Sequence, residues 1–291
     1  MSKLKIGFVG LGIMGHPMAG HILRENYPLT IYNRTRSKTK ELASKGARVA
    51  NSPAELAGVS DVIITIVSDS PDVEEIVAGT DGILQGIRPN SVVIDMSTIS
   101  PEVERKLDDK LRAKDCTLID APVSGGDVGA QNATLAIMVG GERATFDRIS
   151  PILQVMGKSI TYCGPVGSGQ LTKLCNQILC STTLLGVSEA LIFAHKNGLN
   201  PSIMIDAIKG GAAGSWQLSN IGPKIVENDY DPGFMVDLMQ KDLRLVMESA
   251  GLSQVALPAT SLVNQLFRSA QARGDGLRGT QILAKVIESL S

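Results

Sequence analysis

A lysine and an asparagine three residues apart, Lys173 and Asn176, form the pair in this chain best suited to acid/base chemistry. They follow a glycine-rich turn at residues 164–169 and precede a long uncharged stretch, so we place both on the first turns of a buried helix. Side chains at i and i+3 of a helix face the same way. Burial and the helix dipole lower the pKa of such a lysine, which suits a general acid/base. Most lysines are only solvated, so the spacing leaves that alternative open.

The chain opens with a pattern that is typical of a phosphate cradle. A short apolar run leads directly into G-x-G-x-x-G at residues 10–15, and a helical pattern follows. In such a motif Gly10 permits a sharp turn, Gly12 permits close approach of a pyrophosphate, and Gly15 permits close packing of helix on strand. The helix N-terminus adds oriented N–H donors. This order predicts a bound dinucleotide, with a glycine-rich turn of no chemical meaning as the alternative.

The end of the second predicted strand bears on which dinucleotide is bound. An NAD site usually places an acidic residue there to bind the ribose hydroxyls, whereas this chain has Asn33, Arg34 and Thr35. The next acid is Glu41, and the cations before it are Arg34, Arg36, Lys38 and Lys40. Guanidinium groups can bind a 2′-phosphate, so we predict NADP(H) in preference to NAD(H). The alternative is that these basic residues only form a solvated helix face.

The loop at residues 120–126 is a third candidate site, because it follows a predicted strand. Open α/β sheets bind ligands at the carboxyl ends of their strands. Ser124 and the backbone N–H groups of Gly125 and Gly126 form a compact anion-binding nest without a side-chain cation. An ordinary glycine turn with a serine as local cap is the alternative.

Composition limits the class of protein. The chain has 291 residues, of which 43% are hydrophobic and 20% charged, as in a globular protein of two domains. Its 28 Lys and Arg nearly balance 29 Asp and Glu, so no basic field gathers nucleic acid or anionic lipid. Four cysteines and three histidines lack metal-ligand spacing, so we expect reduced thiols and no metal.

Two further features bear on location. The chain enters a strand without an apolar leader, so we expect a cytoplasmic protein. The longest uncharged run, residues 174–188, is shorter than a membrane span requires. We interpret it as a buried helix and expect no membrane association.

Alternating strand and helix patterns must position these residues. Apolar, β-branched runs predict strands at 4–9, 29–32, 62–67, 92–95, 117–119, 135–139 and 159–162. Helical patterns lie between them, and two of the helices start with the cap-and-proline pairs Ser52-Pro53 and Ser100-Pro101. This alternation predicts an α/β Rossmann-type N-terminal domain with a parallel-dominated sheet.

The second half of the chain has a different pattern. From residue 166 onward there is no strand pattern, only amphipathic helical segments separated by Gly and Pro. We therefore predict an all-α C-terminal domain linked by a long interdomain helix at 167–195. The predicted domains are a dinucleotide-binding domain at 1–164 and an all-helical substrate and dimerisation domain at 165–291.

Together these segments resemble the β-hydroxyacid dehydrogenase family, which includes 3-hydroxyisobutyrate dehydrogenase, tartronate semialdehyde reductase and glyoxylate/succinic semialdehyde reductase. The resemblance spans essentially the whole chain. Its opening signature is matched at residues 8–19, with His21 where the family more often has asparagine. The resemblance implies that the Ser124 loop binds the substrate carboxylate, that Lys173 is the catalytic lysine, and that Asn176 orients the substrate.

The resemblance also implies cofactor contacts in both halves of the chain. Lys241, in a Lys-Asp-Leu segment, matches a lysine near the nicotinamide, and Thr98 matches a position at the nicotinamide ribose. The predicted cofactor contacts are Gly10, Leu11, Gly12, Ile13, Met14, Gly15, Asn33, Arg34, Thr35, Val67, Thr98 and Lys241. The predicted substrate contacts are Ser124, Gly125, Gly126, Asn176 and Trp216. A lone tryptophan is more often a core residue, which is the alternative for Trp216.

The resulting functional prediction is NADPH-dependent reduction of small aldehyde acids to hydroxyacids by a homo-oligomer, either a dimer or a tetramer. Glyoxylate, succinic semialdehyde and tartronate semialdehyde are the candidate substrates, and Lys173 is the proton donor. One alternative is 3-hydroxyisobutyrate dehydrogenase acting oxidatively. Another, from a different class, is a non-catalytic NADP-binding interaction module that kept the fold.

Overall fold

The computed structural model describes residues 3–290, which form two compact units that divide between Lys173 and Leu174. This boundary lies inside one long helix, α8 (Ser168–Lys196). The predicted division of roles between residues 1–164 and 165–291 stays a prediction.

Among the described residues, nine strands form one sheet in the first unit. They are β1 (Ile6–Val9), β2 (Leu29–Tyr32), β3 (Arg48–Val49), β4 (Val62–Thr65), β5 (Val92–Asp95), β6 (Thr117–Asp120), β7 (Val123–Ser124), β8 (Leu135–Gly141) and β9 (Gly157–Gly164). Their order is β3-β2-β1-β4-β5-β6-β8-β7, with β9 paired to β8. The first six run parallel, in the Rossmann order, and β8 is antiparallel to β6 and β7. The predicted parallel-dominated α/β domain is confirmed.

Helices cover both faces of this sheet. They are α1 (Gly15–Arg24), α2 (Lys40–Ser44), α3 (Pro53–Gly58), α4 (Ser70–Ala78), α5 (Pro101–Arg112), α6 (Gly126–Gln131) and α7 (Arg143–Leu153). Successive residues of β4 belong to different cores: Ile64 packs in the cluster that contains Phe8, and Ile63 packs in the cluster that contains Val93. This alternation follows from the pleat of the strand, and it explains why the strands are apolar on both faces.

The predicted helix caps form. Ser52 Oγ accepts a hydrogen bond from the N–H of Glu55 at 3.1 Å, and Ser100 Oγ accepts one from the N–H of Glu102 at 3.3 Å. The Glu55 carboxylate accepts from the backbone N–H of Asn51 at 2.8 Å instead of closing the capping box on Ser52.

Some predicted strand limits differ from the structure. The two-residue strands β3 and β7 are too short to show a period of two, and the sequence did not indicate them. β4 ends at Thr65 instead of residue 67, because the N–H of Val67 donates to Ser97 Oγ at 2.9 Å instead of continuing the ladder.

The second unit is helical. After α8 come α9 (Pro201–Ile208), a π-helical turn at Gln217–Ile221, α10 (Gly222–Val226), α11 (Val236–Ser253), α12 (Pro258–Ala272) and α13 (Leu283–Glu288). Leu184, Leu243, Phe267 and Leu283 are fully buried in its core. Its described residues contain no strand, only one isolated bridge between Met235 and Gly279, so the predicted all-α character is confirmed.

Helix α8 is the one helix in the described part of the chain that is long and apolar enough to cross a membrane. Its 29 residues make it longer than the predicted uncharged run, and its most apolar window has a mean hydropathy of 1.5. Of that window 39% is buried, and Leu184, Leu185 and Leu191 belong to the core of the second unit. Part of α8 therefore belongs to that core, and most of this apolar window is not buried.

Replacing Gly15 by Ala is expected to lower the free energy of unfolding by about 1–3 kcal/mol, since its Cβ would lie 1.9 Å from the carbonyl oxygen of Gly10. Gly20→Ala in the same helix is the matched control, because its Cβ would approach Leu42 only to 3.8 Å. That control should raise the free energy of unfolding by about 0.5–1 kcal/mol. Urea unfolding of both variants makes the comparison, and equal effects would contradict the packing role of Gly15.

Candidate active site

The glycine motif forms the turn between β1 and α1. Gly10 has φ +97°, and a Cβ there would lie 2.1 Å from the carbonyl oxygen of Ile66. By contrast, Gly12 has no heavy atom within 4 Å of a Cβ position, so its backbone borders open space. Close approach of a pyrophosphate requires such space. Met14, at the N-cap of α1, makes no side-chain capping bond, so its side chain leaves the N-terminal N–H groups of the helix uncapped.

Asn33 ties the glycine loop to the end of β2. Its Oδ1 accepts a hydrogen bond from the N–H of Leu11 at 2.8 Å, and its Nδ2 donates to the carbonyl oxygen of Thr35 at 2.9 Å. The side-chain amide therefore holds two predicted cofactor-binding segments together, a role that the sequence did not indicate. The predicted direct contact of Asn33 with the cofactor stays a prediction.

Positive charge lies at the end of β2, as the sequence predicted. The side chain of Arg34 is 89% exposed and lies 3.5 Å from a carboxylate oxygen of Asp72. Such an exposed ion pair is worth little, so the guanidinium can exchange this partner for a phosphate. Arg36 donates to Asn51 Oδ1 at 2.8 Å. No acidic residue lies between Asn33 and Glu41.

The carboxyl ends of β4 and β5 carry the next predicted cofactor contacts, Val67 and Thr98. The fully buried Asp95 accepts hydrogen bonds from Thr65 Oγ1 at 2.6 Å and from Ser97 Oγ at 2.7 Å. Since β1, β4 and β5 are adjacent and parallel, the glycine turn, Val67 and Thr98 all follow strand ends at one edge of the sheet.

The segment predicted as an anion-binding loop contains a short strand and the first residue of a helix. Ser124 lies in β7 opposite Ala136 of β8, and α6 begins at Gly126. Gly125 and Gly126 have φ +134° and +63°, values that favour glycine, and neither carries a side chain over the backbone N–H groups. Substrate binding by these three residues stays a prediction.

The start of α8 is fixed to the sheet by two residues. Asp120 at the end of β6 accepts hydrogen bonds from the N–H groups of Gly167 at 2.8 Å and Gln170 at 2.9 Å. The side chain of Gln170 donates to the carbonyl oxygen of Ser97 at 2.9 Å and to Glu104 Oε1 at 2.8 Å. Lys173 lies one turn further along α8 and is only 6% exposed, as the predicted buried helix requires.

Three carboxyl groups meet under this helix start: Asp95, Glu104 and Asp120 are all fully buried. Burial and the charges of Asp95 and Asp120 raise the pKa of Glu104 well above its ordinary value, and Glu104 hydrogen bonds to Asp95. Asp95 Oδ2 and Glu104 Oε2 have no other partner. A proton on Glu104 donated to Asp95 satisfies both oxygens. No pattern in the sequence indicated this pair.

A second chain of contacts joins predicted site residues within the helical unit. Asn176 Nδ2 donates to Gln177 Oε1 at 2.7 Å, and Gln177 Nε2 donates to Asp242 Oδ2 at 2.6 Å. The ammonium of Lys241 lies 2.7 Å from Asp242 Oδ1. Asp242 is 2% exposed, so its charge is balanced inside the protein. The predicted substrate amide and the predicted cofactor lysine are thus parts of one network.

Trp216 is not a core residue, since it is 67% exposed at the N-cap of the π-helical turn. Such turns are frequent at functional sites, but a pocket-lining role for Trp216 stays a prediction. His16 pairs with Glu41 at 3.2 Å, and His21 Nε2 lies 2.9 Å from the carbonyl oxygen of Ala130. No group of three or more His, Cys, Asp or Glu side chains in the described residues could hold a metal ion.

Comparison with known proteins covers both units. Residues 5–164 match the family model of the NAD binding domain of 6-phosphogluconate dehydrogenase, and residues 167–287 match that of NADP-dependent 3-hydroxyisobutyrate dehydrogenase. A probable 3-hydroxyisobutyrate dehydrogenase-like protein of Arabidopsis thaliana, named as mitochondrial, is 42% identical over 100% of this chain and 87% of its own length. The 2-hydroxy-3-oxopropionate reductase of Escherichia coli is 36% identical over 99% of this chain and 98% of its own.

A solved structure agrees with these matches. The 3-hydroxyisobutyrate dehydrogenase of Mycobacterium tuberculosis with L-serine has a TM-score of 0.90 and 31% sequence identity, over 99% of each chain.

Because the pKa of Glu104 is raised in the native state, the free energy of unfolding is expected to depend on pH. An unfolded glutamate loses its proton above about pH 4.3, whereas native Glu104 keeps it to a higher pH. The native state therefore binds more protons in this window, and the free energy of unfolding falls as pH rises, by up to about 1.4 kcal/mol per unit. Glu104→Gln removes this contribution and preserves both hydrogen bonds. Urea unfolding from pH 5 to 8 should show the variant gaining stability relative to wild type as pH rises; parallel curves would contradict a proton on Glu104.

Proposed function

The chain belongs to the 3-hydroxyisobutyrate dehydrogenase family of NAD(P)-dependent β-hydroxyacid oxidoreductases, and from this premise we propose that it reduces small aldehyde acids with NADPH. Lys173 is the proposed proton donor. Glyoxylate, succinic semialdehyde and tartronate semialdehyde are the proposed substrates, since each carries a carboxylate and an aldehyde.

The observation that carries this proposal is the burial of Lys173 on a helix turn whose start is hydrogen-bonded to the sheet. Lysine is almost never fully buried without a specific reason. Asn176 follows at i+3, so α8 presents an ammonium and an amide on one side of the helix. That pair suits a carbonyl substrate, because the ammonium can protonate its oxygen while the amide orients it.

In the proposed reaction, Ser124 and the N–H groups of Gly125 and Gly126 bind the substrate carboxylate. NADPH supplies the hydride to the aldehyde carbon when bound. Lys173 gives its proton to the carbonyl oxygen, so that the aldehyde becomes an alcohol and the lysine becomes neutral. A proton from solvent then restores the ammonium. The reverse sequence of transfers oxidises a hydroxyacid.

The proposed preference for NADP(H) rests on Arg34 and its neighbours. Arg34 is exposed at the end of β2, and the strand end lacks the carboxylate that would repel a 2′-phosphate. The name of the family model matched by the second unit also specifies NADP.

Oxidation of 3-hydroxyisobutyrate is the second candidate function, because two of the relatives carry that name. We also propose a homo-oligomer in the cytoplasm. The second unit exposes several large apolar side chains, which would support association: Leu179, Phe193, Ile203, Leu252 and Leu262.

Lys173→Ala is expected to reduce kcat by about 10²–10⁴-fold, the usual contribution of a general acid. The assay follows NADPH consumption with the three aldehyde acids, and 3-hydroxyisobutyrate oxidation is measured alongside. Lys196→Ala, in the exposed last turn of the same helix, is the matched control and should keep wild-type kcat. Tight NADPH binding without turnover on any substrate would favour a non-catalytic NADP-binding module.

Arg34→Gln is expected to lower kcat/KM for NADPH by about 10–100-fold while changing that for NADH little, because a charge-assisted hydrogen bond to the 2′-phosphate is lost. Arg148→Gln removes the same charge from an exposed position on α7 and serves as the control. Equal losses with both cofactors would contradict the 2′-phosphate assignment.

A further inference from the structure

Gln170 is the point at which three parts of the first unit meet. Its Nε2 donates to Ser97 O and to Glu104 Oε1, and its Oε1 accepts from the N–H of Ile99 at 3.2 Å. Its backbone N–H donates to Asp120. The residue is fully buried, so no solvent can replace these four bonds.

These bonds connect two segments with proposed functions. Ser97 and Ile99 flank Thr98, the proposed contact of the nicotinamide ribose. Gln170 itself precedes Lys173 by three positions on α8, so the two side chains lie on one face of the helix. The amide therefore fixes the distance between the loop after β5 and the helix turn that carries the lysine.

Glu104 completes this arrangement as a neutral group. Burial and the charges of Asp95 and Asp120 raise the pKa of Glu104 well above its ordinary value, which favours the protonated carboxyl. Its hydroxyl is then available to Asp95, and Oε1 remains the acceptor for Gln170. A glutamine side chain at this position can make the same two contacts.

We propose that Gln170 and Glu104 are positioning residues for the reaction. They hold the helix turn that bears Lys173 at a fixed distance from the loop that bears Thr98. This inference rests on the proposed function, because it takes Lys173 as the proton donor. A misplacement of about 1 Å in a reacting group can reduce turnover by about 10²-fold. The loss should therefore appear in kcat, with little change in binding.

The test compares the full-length variants Gln170→Ala, Glu104→Leu and Glu104→Gln by steady-state kinetics and by NADPH binding, followed as nucleotide fluorescence. Gln170→Ala and Glu104→Leu are expected to lower kcat by about 10–100-fold, with substrate KM and NADPH Kd within about threefold of wild type. Glu104→Gln is expected to retain kcat within about threefold, because it keeps both hydrogen bonds.

Gln281→Ala is the matched control for the loss of a buried amide. Gln281 is also buried, at 2% exposure, and donates to the carbonyl oxygens of Asp229 and Asp231 in the helical unit. Its replacement should lower Tm and leave kcat unchanged. If Gln170→Ala does not fold, Gln170→Asn retains the amide but is one methylene too short to make the same contacts, and it provides the same comparison.

Wild-type kcat in a folded Gln170 variant would overturn the inference, and so would an equal loss in Glu104→Gln and Glu104→Leu. A loss confined to NADPH Kd or to Tm would likewise overturn it, since positioning of the lysine predicts a kcat effect. The Lys173→Ala variant separates this result from a failure of the proposed function. If Lys173→Ala keeps its turnover, the proton-donor assignment itself is wrong; if it loses turnover while Gln170→Ala does not, only the positioning role fails.

Discussion

The hydrogen bonds between the Asp120 carboxylate and the first turn of α8 are the interaction on which the rest of the candidate site depends. Asp120 ends β6, and both of its oxygens accept backbone N–H groups, from Gly167 and Gln170. A fully buried carboxylate without partners would cost several kcal/mol, so the helix start must meet the strand end at this point. A Cβ on Gly169 would lie 2.4 Å from the carbonyl oxygen of Met138, so only glycine allows this approach. The position of Lys173 follows from it.

Strands, turns and helix caps whose signals lie within a few neighbouring residues could be predicted from the sequence. The order of β1, glycine turn and α1 could be predicted from one continuous segment of the chain, and the caps at Ser52 and Ser100 formed as predicted. The side-chain contacts of Gln170 could not be predicted in this way, because their partners lie 66 to 73 residues away in the chain. Asn33 shows a related limit: the sequence predicted a cofactor contact, which stays a prediction, and did not indicate that its amide joins the glycine loop to Thr35.

The helical unit also contains a buried carboxylate, Asp242, which is compensated by side chains. Asp242 is balanced by the Lys241 ammonium and by the Gln177 amide, whose other end contacts Asn176. Because the Asp242 charge must be compensated inside the protein, a change at any one of these residues alters the hydrogen bonding of the next. The Lys-Asp-Leu segment could have pointed to Asp242 as the partner of Lys241, whereas nothing in the sequence pointed to Gln177.

The choice of a neutral amide at position 170 has an electrostatic reason. Asp95 is compensated by two hydroxyl groups and Asp120 by two backbone N–H groups, so a third negative charge on Glu104 would have only the neutral Gln170 amide to stabilise it. A lysine or arginine at position 170 would favour the ionised form of Glu104 and turn the buried pair with Asp95 into two like charges. Glutamine accepts from Ile99 and donates to Glu104 and Ser97 without changing the charge of the cluster. The amide of Gln170 therefore binds Glu104 without adding a charge, while burial and the charges of Asp95 and Asp120 raise the pKa of Glu104 and favour its proton.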